Sequence, residues 1–324
     1  MRRQAQTQLW IKTAFLSAAV ASAMLISGCG QQQERENNEA ITLNIGFQKY
    51  GVLPIVKARG ALEASLKQYN VNVKWVEFPA GPQMLEGLNV GSISFGEVGE
   101  APPIFAQAAQ TDFVYVAHQP AVPKAEALIV QKDSAIQSVH DLKGKRVVLN
   151  KGSNVHYLLL KILEKNKLSL NDIEVVYLPP ADARAAFEKG AVDAWLIWDP
   201  FLSAAEHQLS ARTIVNGENL VNNYQFYLSD RKFAQQHPEV INTVVHELNT
   251  TTLWVAQHQD EAVSLLEQQT GLDKKVLSTA VARLGQQVTP VTSAIAKEQQ
   301  YVADAFYQQK LIPNKINIEA AIIK

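Results

Sequence analysis

The sequence predicts an α/β protein of two parallel-rich lobes with a cleft between them. Three observations predict it. From residue 41 onward, short alternating strands and amphipathic helices succeed one another. The succession restarts near residue 146, so two βαβ-type units lie in series. Three short turns also stand where a strand gives way to a helix, the place where open α/β sheets hold ligands.

The elements follow in order. Ile41, Leu43, Ile45 and Phe47 alternate as a strand, Gln48 to Gly51 closes it, and a helix is expected over 53–69. VNVKWVEF (71–78) is the second strand. Next comes a helix carrying Met84, Leu85 and Leu88 on one side, then a short strand over Ser92–Phe95. Gly96-Glu97-Val98-Gly99 reads as a sharp turn, and Pro102-Pro103 open a new helix, since first-turn N–H groups have no intrahelical partner. Residues 112–119 and 127–132 are strands, and 133–144 is a connection. RVVLN (146–150) begins the second unit, followed by a turn at Lys151 to Asn154. Val155, Leu158, Leu159, Ile162 and Leu163 fall at i, i+3, i+4, i+7 and i+8 of a helix. A strand over 172–178, a helix over 181–190 and a strand over 193–198 come next, and Asp199-Pro200 opens a helix to about residue 208. ARTIVNG and NNYQFYLSD are strands, and 238–309 is mostly helical, with breaks near Gly271 and Thr289-Pro290.

Composition narrows the class. The chain has 324 residues, a net charge of −1, 47% hydrophobic and 19% charged residues. That describes a globular protein with a substantial core and lacks the basic surplus of a nucleic-acid binder. Arg2, Arg3 and Lys12 precede an apolar run over 13–26 of signal-peptide length, which ends Ile26-Ser27-Gly28-Cys29. This resembles a bacterial lipobox, with Cys29 lipidated as the first mature residue. The alternative is an ordinary secretory signal cut nearby. Cys29 is the sole cysteine, so the mature chain has no disulfide and no thiol nucleophile in reserve. Residues 30–40 are polar, lack an apolar period and read as a tether.

Catalytic motifs are missing. His246-Glu247 lacks the second histidine of a zinc-protease helix, and no Gly-x-Ser-x-Gly elbow or phosphate loop occurs. The seven histidines are scattered, which is not the pattern of a metal ligand set, and no cofactor is expected. What remains suits anion capture. The turns at 48–51, 96–100 and 152–154 each put backbone N–H groups at a helix start, and Gln48, Tyr50, Ser153 and Asn154 add side-chain donors. Trp195 and Trp198, three apart on a strand, face opposite sides, so one is core and one is free to line the cleft.

Long runs then carry a resemblance: VEFPAGPQMLEGLNVGSI (76–93), PPIFAQAA (102–109), FVYVAHQPAVPKAEALIV (113–130), DLKGKRVVLNKGSN (141–154) and YLPPADARAAFEKGAVDAWLIWDP (177–200). The chain resembles the solute-binding lipoproteins of the nitrate/sulfonate/taurine ABC importers, above all their aliphatic-sulfonate branch. The resemblance implies a type II periplasmic-binding fold: lobe 1 over 41–128 plus part of 230–324, lobe 2 over 129–229, and a hinge. It implies a monomer in the periplasm or cell envelope, anchored to the membrane through Cys29. This monomer would deliver a small organic sulfonate to a membrane permease and cytoplasmic ATPase, without catalysis, metal or nucleic acid. Taurine, a sulfate ester or nitrate are alternative ligands, a sensor subunit is an alternative role, and a thiamine-precursor enzyme on the same fold is the catalytic alternative. By position, Gln48, Glu97, Gly99, Ser153, Asn154 and the run from Trp195 to Asp199 should face the ligand. The family pattern has small or hydroxyl residues and an aspartate where this chain has Gly96-Glu97-Val98-Gly99-Glu100. A sulfonate cannot donate to a carboxylate. Glu97 or Glu100 is therefore expected to turn to solvent, cap a helix, or pair with a cationic part of the ligand such as an ammonium.

Overall fold

The computed structural model describes residues 40–323, and Cys29 with the residues before it lies outside the described residues. Among the described residues, ten strands form two five-stranded sheets. They are β1 (Ile41–Phe47), β2 (Val71–Glu77), β3 (Phe95–Gly99), β4 (Phe113–Gln119), β5 (Glu126–Val130), β6 (Arg146–Leu149), β7 (Glu174–Tyr177), β8 (Ala194–Trp198), β9 (Arg212–Asn216) and β10 (Gln225–Asp230). The first sheet has the order β2-β1-β3-β10-β4, the second β7-β6-β8-β5-β9. In each, two parallel pairings lead to one antiparallel strand, β10 in the first and β5 in the second.

Those two antiparallel strands are the ones that change lobe. β5 follows β4 in sequence yet pairs with β8 and β9, and β10 follows β9 yet pairs with β3 and β4. Residue 128 therefore lies inside a strand of the second sheet, and residue 229 inside one of the first. The chain crosses between sheets through 120–125 and 217–224. The crossings run side by side. Val122 N–H donates to the Asn222 carbonyl at 3.0 Å, and Asn223 Nδ2 donates to the Val122 carbonyl at 3.1 Å.

Apolar burial on both faces explains the near-continuous hydrophobic strands. Leu43 and Ile45 of β1, Phe95 of β3 and Tyr227 of β10 pack with Val240, Val244 and Leu248 of the helix Pro238–Gln257. Trp195 and Ile197 of β8 pack with Ile129 of β5 and Phe187. The helix expected over 53–69 breaks at Gly60, whose φ of 65° ends Leu53–Arg59 and begins Ala61–Leu66. The C-terminal helices touch both lobes. Lys274–Ala282 packs on Phe201–Gln208 while its Ala280 carbonyl accepts from Tyr50 Oη, and Ser293–Gln308 packs on Asn154–Lys165.

One local expectation is corrected. Gly96 to Gly99 is not a turn but the body of β3. The glycines serve close approach. A Cβ on Gly96 would stand 2.6 Å from Met84 Sδ, and one on Gly99 would stand 2.1 Å from Asn154 Nδ2.

A glycine also governs the return crossing. Gly217 N–H donates to the Pro123 carbonyl at 3.0 Å, and a Cβ there would lie 2.6 Å from that same oxygen. The clash is with backbone, which cannot rotate aside. Gly217→Ala is expected to cost about 1–3 kcal/mol, as overpacked sites do, read as a lower urea midpoint with unchanged slope. An unshifted midpoint would show that the crossing yields freely.

Candidate functional site

A cavity of about 440 Å³ lies between the sheets, at the carboxyl ends of their parallel strands. Gln48, Tyr50, Glu97 and Gly99 line it from the first lobe. Ser153, Asn154, Trp198 and Asp199 line it from the second, and Arg283 and Leu284 from the C-terminal region. Among the described residues, no group of three His, Cys, Asp or Glu side chains could hold a metal ion.

The three expected anion turns differ sharply. At the first, Glu97 Oε2 accepts from the Val52 and Leu53 N–H groups, each at 3.2 Å. The start of the helix Leu53–Arg59 is therefore already filled by a carboxylate. Glu97 caps a helix, as one of its expected roles had it. At the second, the helix Pro102–Ala108 begins with two prolines, which have no N–H, and the Ala101 N–H goes to Asn154 Oδ1 at 3.1 Å. The first turn of that helix therefore offers no N–H of its prolines or of Ala101 to a ligand.

The third turn stays open. Asn154 starts the 12-residue helix Asn154–Lys165. Within the described residues, the N–H groups of Asn154 and Val155 make no hydrogen bond. First-turn N–H groups point out along the axis with the positive end of the dipole behind them. The surroundings lock this turn in place. Ser153 Oγ donates to the Asn150 carbonyl at 2.7 Å, and the Gly152 N–H donates to His156 Nδ1 at 3.2 Å. Gly152 has a φ of 74°, which suits glycine. His156, stacked on Phe105, is pushed down to about 4 by burial and by Lys151, so it is neutral and its Nδ1 is free to accept. The Asn154 side chain also spans the cleft: Nδ2 donates to Asn223 Oδ1 at 2.5 Å while Oδ1 holds Ala101.

The far wall is aromatic and charged. Trp198 lines the cavity with its ring edge-on to Phe201. Trp195 does not reach the cavity. It is fully buried against Phe187, because the pleat turns it to the opposite face. Asp199 Oδ1 caps the helix Phe201–Gln208 at the Ser203 N–H, 3.0 Å away. The carboxylate meets the Arg283 guanidinium at 3.3 Å, and Arg283 also holds Glu206 at 2.9 Å. Burial raises Asp199 to about 6, with Arg283 opposing.

Behind the cleft sits a buried acidic pair. Glu100 Oε2 accepts from the Tyr224 N–H at 3.0 Å, and burial raises the carboxyl to about 7. Glu126 is fully buried, neither oxygen has a hydrogen-bond partner among the described residues, and burial together with Glu100 pushes it well above the usual carboxylate range. Burial also raises Glu97 to about 7, against the pull of the Leu53 and Val52 N–H groups. The sequence reading missed Arg283, His156, Asn223 and Glu126. Each stands alone in its segment, and only the fold brings Arg283 and Asn223 to the cavity wall and packs His156 and Glu126 behind it.

Comparison with known proteins places the chain. Residues 66–262 match the family model described as NMT1/THI5 like. The chain belongs to the NMT1/THI5-like family. Among the proteins it is similar to, the alkanesulfonate-binding protein SsuA from Xanthomonas axonopodis pv. citri, solved bound to MOPS, is 41% identical. The match covers 88% of this chain and 99% of that one, with a TM-score of 0.83. The periplasmic aliphatic sulphonate binding protein SsuA from Escherichia coli is 42% identical over 87% of this chain and 92% of that one, with a TM-score of 0.79. The taurine-binding periplasmic protein of Escherichia coli (strain K12) is 27% identical over 63% of each chain.

The buried carboxyls set a pH dependence. Glu97 and Glu100 titrate near 4.5 when unfolded and near 7 when folded, so the folded chain holds more protons between those values. Their stabilisation is present below about 4.5 and is lost as pH rises through 7, on the order of 3 kcal/mol per carboxyl. Asp199 and Glu126 act in the same direction, and His156, lowered, acts against them. The melting temperature of the unliganded protein should fall between about pH 5 and pH 8, and Glu100→Gln should flatten that slope. A melting temperature that rises over this interval would contradict the burial assigned to these groups.

Proposed function

We propose that this chain is the solute-binding component of an ABC importer, capturing small aliphatic sulfonates in the cell envelope as a sulfur source. The observation that carries the reading is the pair of free N–H groups at the Asn154 helix start, set in a cavity walled by Trp198 and Phe201. A sulfonate is fully ionised and weakly hydrated, so neutral N–H donors and a helix dipole hold it without a counter-charge. The aromatic wall takes the alkyl tail. Two relatives above 40% identity, named for sulfonate binding, support the same ligand class.

The role requires no bond to be made or broken. Asn154 links the second lobe to Ala101 of the first and to Asn223 of a crossing, so a ligand seated there favours the closed form. Opening the paired crossings at 120–125 and 217–224 is the motion that admits and releases it. Cys29 is the residue that would tether the mature protein to the membrane beside its permease and ATPase. The protein acts as a monomer in this scheme.

Substitution at Asn154 isolates the backbone contribution. Asn154→Ala removes the side-chain ties but keeps the N–H. Asn154→Pro removes both, at a first helical position where proline is tolerated and after a residue already extended (Ser153, ψ 173°). By calorimetry with ethanesulfonate, the proline variant should bind about tenfold or more weakly than the alanine variant, the value of a charge-assisted hydrogen bond. Equal affinity of the two would remove the helix start from the anion site.

A further inference from the structure

Besides the two crossings and the Asn154 side chain, a further seam joins the lobes. The helix Lys274–Ala282 belongs to the first lobe by its packing. Its Leu277 and Val281 share an apolar cluster with Ile55 of the helix Leu53–Arg59, and its Ala280 carbonyl accepts from Tyr50 Oη. The helix Phe201–Gln208 belongs to the second lobe, where Leu202 and Ala205 pack with Trp195 and Ile197 of β8. These two helices meet face to face.

The polar contacts along that seam run from one lobe to the other. Arg283 follows the first-lobe helix and divides its guanidinium between two carboxylates. Nη1 meets Asp199 Oδ2 at 3.3 Å, and Nη2 meets Glu206 Oε2 at 2.9 Å. One turn earlier, Thr279 Oγ1 lies 2.8 Å from His207 Nε2. Asp199 is fully buried, and the Arg283 and Glu206 side chains retain 23% and 26% of their exposure. Charges so placed are screened less by water and salt than a surface pair. A planar guanidinium held by two carboxylates also fixes direction, which a single ammonium would not. Glu206, His207 and Thr279 do not line the cavity, so whatever they contribute to capture passes through the lobes.

We propose that Arg283 is a positioning residue for ligand capture: it clasps Asp199 and Glu206 across the cleft and so sets the balance between open and closed lobes. Opening at the crossings draws the two helices apart and breaks the clasp. An interaction present only in the closed form raises affinity by the fraction of molecules it keeps closed. Arg283 as a direct counter-charge for the anion makes the opposite prediction. Glu206 would then compete with the ligand for the guanidinium, and its removal would tighten binding. The proposal rests on the sulfonate reading only for the choice of probe.

Glu206→Gln decides between these roles, because it removes a carboxylate outside the cavity and leaves Arg283 in place. By calorimetry, the variant should bind ethanesulfonate about three- to tenfold more weakly than the native protein. By small-angle scattering, its unliganded radius of gyration should exceed the native one. Arg283→Met, with cooperative melting confirming that it folds, should expand the unliganded protein likewise, and adding Glu206→Gln to it should change the radius no further. Equal or tighter ethanesulfonate binding by Glu206→Gln, or an unchanged radius, overturns the clasp and leaves sulfonate capture standing. Failure of the native protein to bind ethanesulfonate overturns the sulfonate reading alone, and the scattering comparison then decides the clasp by itself.

Discussion

The structure depends on what surrounds Asn154. Its side chain is shared between the lobes, with one amide end holding Ala101 of the first and the other Asn223 of a crossing. Its backbone N–H begins a helix and has no hydrogen-bond partner among the described residues. The tie between the lobes and the open helix start therefore meet at one residue. Buried amide groups seldom stay unpaired, and an orphaned N–H at the floor of a cavity is a standing demand for an acceptor.

The two sheets share one strand order, yet their helix starts differ in charge. The first lobe gives its helix start to its own Glu97, and a second start to two prolines and the Asn154 amide. The second lobe keeps the start at Asn154 open and gives that at Phe201 to Asp199. Topology alone would allow an anion on either side. The side chains at the strand ends decide which side keeps a free dipole. The result is a cavity with a donor end and an aromatic wall.

Much of this was legible in the amino-acid order because short-range rules settle it. The alternation of Leu43, Ile45 and Phe47 and the spacing of Leu158, Leu159 and Ile162 are local signals, and both elements form where expected. Gly96 to Gly99 misled because glycine marks turns as well as places where chains touch. Only the packing of Met84 and Asn154 tells which applies. Trp195 and Trp198 were separable in principle by the pleat, but which of them faces the cleft depends on where the helices lie. Arg283 carried no local signal, since the helix Lys274–Ala282 reaches the second lobe only through tertiary contacts. The buried acids Glu100 and Glu126 defeat any pattern rule, because charged residues are expected outside.

The most direct test of the account is a crystal structure of the protein soaked with ethanesulfonate, a ligand without a cation to complicate its pose. The account predicts sulfonate oxygens within hydrogen-bond distance of the Asn154 and Val155 nitrogens, the ethyl group against Trp198, and Glu97 still on the Val52 and Leu53 N–H groups. A sulfonate seated on Val52 and Leu53, with the Glu97 carboxylate displaced, would contradict it.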